Sequence, residues 1–61
     1  MRQAAQKFER AMGDLNAPSD RRKPTQTNAM WFLRNGLAAY HKHPCFNDAR
    51  TAALALANDS R

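Results

Sequence analysis

A chain of 61 residues, 43% of them apolar, has room for one small domain and little core to spare. Its formal charge of +5 favours anionic partners, either nucleic acid or acidic protein surfaces, and is silent on fold. The single cysteine excludes an intrachain disulfide and fits a reducing compartment, and no apolar run is long enough to cross a bilayer.

Residues 2–15 have the spacing of an amphipathic helix. Ala4, Ala5, Phe8, Ala11, Met12 and Leu15 share one face, opposite Arg2, Gln3, Gln6, Lys7, Glu9, Arg10 and Asp14. Gly13 weakens its last turn, and Asn16 followed by Pro18 stops it. No continuous apolar segment opens the chain, so a secretory signal is not expected and the cytoplasm is the expected location.

Residues 16–27 are expected to form a loop, with Pro18 and Pro24 bracketing the one basic cluster, Arg21-Arg22-Lys23. A connection of this length in so small a domain is either functional or mobile. None of the three cations belongs to an apolar stripe, so neutralising them is expected to leave the fold intact. Thr25 or Thr27 is placed to cap the next helix.

That helix, residues 28–41, holds the only tryptophan, the only tyrosine and the densest apolar run. An ideal wheel puts Ala29, Met30, Phe32, Leu33, Gly36, Leu37 and Tyr40 on one broad face, with Leu33 and Leu37 at its centre. Trp31 points the other way, with Arg34 and Asn35 one turn on and Ala38 two turns on. A helix apolar on one side with Trp on the other is either the middle layer of a bundle, roofed by Phe8 and Met12, or a surface that meets a partner. His41, Lys42 and His43 oppose the negative end of its dipole, and Pro44 forbids continuation. A short turn then leads to a third helix, residues 47–58. Asn47 is its expected N-cap, and Phe46, Ala49, Ala52, Ala53, Leu56 and Ala57 its buried stripe. Leu54 lies off that stripe, and residues 58–61 form a polar end.

The expected fold is therefore all-α: one domain over residues 1–61, made of a helix, a long basic loop and a helix-turn-helix-like pair. Oligomerisation is one way to complete its core. No catalytic motif is present. His41, His43 and Cys45 are the only cluster of metal-ligand types, but residues two apart splay at a helix end and no fourth ligand stands at a standard spacing. No metal, cofactor or small-molecule substrate is assigned.

A non-enzymatic binding protein follows, an inhibitor, adaptor or accessory subunit that engages another protein, or a second copy of itself, through Trp31, Arg34, Asn35 and Ala38. The alternative is a regulator that binds DNA, RNA or the ribosome through Arg21, Arg22 and Lys23, helped by Arg10 and Lys7. Sequence-specific reading by the third helix is poorly supplied. Asn47, Asp48, Arg50 and Thr51 near its start are followed by alanine.

Overall fold

The computed structural model describes residues 2–59 and is all-α, with no strand among the described residues. Helix α1 spans Arg2–Asp14. Its stripe behaves as its spacing predicts, with Phe8, Ala11, Met12 and Leu15 buried. The helix ends in a left-handed turn at Asn16, whose φ is 59°. Asn16 N–H donates to the Gly13 carbonyl and Ala17 N–H to the Met12 carbonyl, both at 3.0 Å. That pair of bonds satisfies two carbonyls that the helix end leaves open, and it delivers Ala17 fully buried into the core.

The connection that follows is built, not loose. A single 3-10 turn covers Ser19–Arg21, and the segment is fastened to the next helix by Asn28. Thr25 is the residue that caps this helix, its hydroxyl accepting from Asn28 N–H at 3.1 Å. The helix therefore begins at Gln26, two residues before the expected start, because the threonine nearer the proline takes the cap.

Helix α2 is continuous over three segments: α-helical Gln26–Trp31, π-helical Phe32–Gly36 and α-helical Leu37–Tyr40. In the middle segment Leu37 N–H reaches back five residues to the Phe32 carbonyl. The buried face of this helix is narrower than the broad one its apolar content suggests. Asn28, Ala29, Phe32 and Gly36 are its buried residues, whereas Leu33 and Leu37 are only partly buried and Met30 is exposed. Residues four apart share one face of a helix, so Asn28, Phe32 and Gly36 form a single buried ridge, with Leu33 and Leu37 on its flank. Phe32 is fully buried. It stacks on Tyr40 with centroids 6.3 Å apart and meets Phe46 at 6.0 Å.

Helix α3 spans Phe46–Asn58. Its N-cap is Cys45, not Asn47, which lies exposed within the first turn. The backbone turn explains the shift. Phe46 N–H donates to the His43 carbonyl at 3.0 Å and Cys45 N–H to His43 Nδ1 at 3.1 Å, so a local imidazole takes an amide that a capping side chain would otherwise serve. Ala49, Ala52, Ala53 and Leu56 are buried, and Leu54 is 48% exposed, off the stripe as expected. The expected polar end extends to Ser60 and Arg61, which lie outside the described residues.

Helix α3, and not the aromatic-rich α2, occupies the middle. Both α1 and α2 pack on it. Alanines explain why: side chains this small let two neighbours approach one helix closely, and the larger residues that fill the space come from α1 and α2. Gln26 Nε2 donates to the Asp59 carbonyl at 2.5 Å, tying the start of α2 to the end of α3. With the short turn at residues 41–45, this makes α2 and α3 an antiparallel pair.

Candidate interaction surface

Trp31 and the basic loop, which are separate features in the sequence, meet in space. The Arg21 guanidinium lies over the Trp31 ring, 4.7 Å from its centroid. That is well within cation–π range, and the indole quadrupole attracts the cation most when both are partly withdrawn from water. Both residues are partly buried, and Trp31 also packs on the edge of the core. Its roof is therefore Arg21, and not Phe8 and Met12 of the first helix, the roof that a middle-layer position for α2 would have required.

Around this stack lies a shallow open recess lined by Arg21, Gln26, Thr27, Met30, Trp31, Arg34 and Asn35. Arg34 and Asn35 are exposed one helical turn beyond Trp31. Asn35 Nδ2 sits 3.4 Å from the Trp31 carbonyl, a long bond on the same ridge. Met30 was placed on the buried face by the wheel; at 42% exposure it instead adds a flexible apolar side chain to this surface. Ala38 is exposed but does not line the recess. Three of the four partner-binding residues expected from sequence thus lie together, joined by Arg21 and Met30.

The basic cluster itself is divided. Arg21 covers Trp31, and Arg22 Nε donates to the Ala17 carbonyl at 2.6 Å, leaving Lys23 as the exposed member. Arg21 and Arg22 are therefore half-buried and engaged with neighbouring residues, although none of the three belongs to an apolar stripe. Lys7 and Arg10 line a different groove, between α1 and α3, whose walls also hold Asp14 and Asp48. The cations named for nucleic-acid binding therefore form no single stripe.

The histidine-cysteine turn is occupied with local bonding. His41 Nδ1 lies 3.1 Å from the Ala38 carbonyl, closing the end of α2, and His43 Nδ1 accepts from Cys45 N–H. Among the described residues no group of three or more His, Cys, Asp or Glu is placed to hold a metal ion. No helix of the described residues is long and apolar enough to cross a membrane.

The residue that sequence reasoning passed over is Asn28. It is the one buried polar residue among those described, with 6% exposure. Its position next to the apolar run, between two threonines and an alanine, gave it the look of a helix-start residue. A polar residue one turn before the lone tryptophan was the available signal. No family model, curated protein or solved structure matches the chain.

Proposed function

We propose that this chain is a non-enzymatic binding protein, and that the Arg21–Trp31–Arg34 surface with Met30 and Asn35 recognises an acidic protein partner. The observation that carries the reading is the Arg21–Trp31 stack at the rim of an open recess. Trp, Arg and Met are the side chains enriched at protein interfaces, and here they lie side by side without being consumed by the core. Two arginines in the recess, in a chain of net charge +5, select carboxylate-rich surfaces and steer their approach. A cytoplasmic setting, where Cys45 stays a thiol, suits such a role.

Nucleic-acid binding is less well supported. A tryptophan that serves as a base-stacking platform presents an open face, whereas Trp31 has Arg21 over its ring and the core beside it. A phosphate track also calls for cations along one face, and here Lys7 and Arg10 share their groove with two aspartates. A second copy of this chain is a poor occupant for the surface as well. Facing itself about a two-fold axis, the patch would oppose arginine to arginine.

Arg34 is the cleanest point of attack, because it is exposed and outside the core. Arg34→Glu should keep far-UV circular dichroism and the thermal transition while abolishing capture of a protein partner from nuclease-treated host lysate. Trp31→Ala should remove roughly 2 kcal/mol or more of binding. Capture that vanishes with nuclease, together with binding to plain duplex or single-stranded nucleic acid that falls steeply with salt, would overturn the protein-partner reading.

A further inference from the structure

We infer that Asn28 is the positioning residue of this surface, a buried latch that holds the loop so that Arg21 lies on Trp31. Asn28 Nδ2 donates to the Asp20 carbonyl and to the Lys23 carbonyl, each at 2.9 Å. Those two carbonyls bracket Arg21 and Arg22. One side-chain amide therefore fastens both ends of the basic segment to the first turn of α2, and Trp31 stands one turn further along the same helix. With residues 20 and 23 fixed there, the chain between them has little choice of path. Arg22 is drawn towards the Ala17 carbonyl, and Arg21 is laid over the indole.

Burying an amide is costly unless each of its polar atoms is paired, and an apolar side chain would fill this position at less cost. Helix capping does not account for the asparagine, because the capping oxygen belongs to Thr25. Both Asn28 side-chain bonds go to the loop instead. They hold a mobile type of element in one arrangement, so the arginine over Trp31 is set before any partner arrives. The inference rests on the proposed interface only for its consequence in binding; the latch itself is a property of the unbound protein.

Trp31 is the only tryptophan, so its fluorescence reads the stack directly. Asn28→Asp is nearly isosteric and removes both donors. It should shift Trp31 emission to the red and raise acrylamide quenching to the level seen in Arg21→Ala, with far-UV circular dichroism unchanged. Adding Asn28→Asp to Arg21→Ala should then produce no further change in emission, since both act on the same stack. A purely structural asparagine would lower the melting temperature and leave the emission of the folded protein alone. Wild-type emission in folded Asn28→Asp, or independent effects that add in the double variant, would overturn the inference. Should Asn28→Asp fail to fold, NMR on the wild type decides. Slow exchange of the Asn28 side-chain amide with upfield-shifted Arg21 side-chain protons is expected, and unshifted Arg21 protons would sink the latch. Partner capture is scored separately, so the latch can stand where the interface reading fails.

Discussion

Phe32 shows how far one side chain can concentrate the core of a small domain. It is fully buried and lies between Tyr40 and Phe46, so three aromatic rings from two helices meet at it. Phe32→Ala should cost about 3–5 kcal/mol, from lost burial and the cavity left behind. A domain of this length has total stability of the same order, so the variant should be largely unfolded at room temperature by circular dichroism. Leu37→Ala, at a partly buried site on the same helix, should cost less than roughly 2 kcal/mol and leave a cooperative, lower-melting transition. A Leu37 variant as damaged as the Phe32 variant would mean that the two are ranked wrongly. At Asn16, the left-handed φ sets a different rule: Asn16→Gly should be tolerated, whereas Asn16→Val should destabilise by about 1–2 kcal/mol in urea titration.

At the scale of the element, the two glycines make opposite predictions. A methyl group added at Gly36 would run into the Phe32 ring, which lies across that position in the π turn. Gly36→Ala should therefore destabilise by about 1–3 kcal/mol although alanine is the better helix former. Gly13 in the last turn of α1 has open space around it, and Gly13→Ala should stabilise by up to about 1 kcal/mol. Thermal melts of the two variants should move in opposite directions, and a shared direction would contradict the packing described. The same helices show what was legible beforehand. The α1 stripe could be read from spacing because the helix is regular and covers its core on one side only. In α2 the apolar face was drawn too wide: burial follows the ridge Asn28, Phe32 and Gly36, residues four apart, and leaves Leu33 and Leu37 on its flank and Met30 outside. Asn35 and Arg34 could be grouped with Trp31 because they are near in sequence. Arg21 could not, since its place over the indole depends on a loop path fixed by hydrogen bonds that leave no periodic trace.

For the whole molecule, the buried set accounts for most of the apolar run of α2 without a second subunit, with Phe32 buried, Leu33, Leu37 and Tyr40 packed on the core, and Met30 left outside. Together with the like charges of the candidate surface, this leads us to expect a monomer in sedimentation velocity at tens of micromolar and low salt, roughly the range in which weak self-association shows itself. A stable dimer under those conditions would point to a different interface, the groove between α1 and α3 first among them. Central placement of α3 also has a consequence for synthesis. Helices α1 and α2 are made first, yet both must pack on a helix that is made after them. A nascent chain that has emerged as far as residue 45 has its first two helical segments and nothing to cover them. Folding should therefore wait until Phe46–Asn58 has cleared the ribosome, and a fragment of residues 1–45 should show little helix and no cooperative melt. During that interval Phe8 and Phe32 should stand in water, and the positive charge of the unfinished chain opposes its association with other copies.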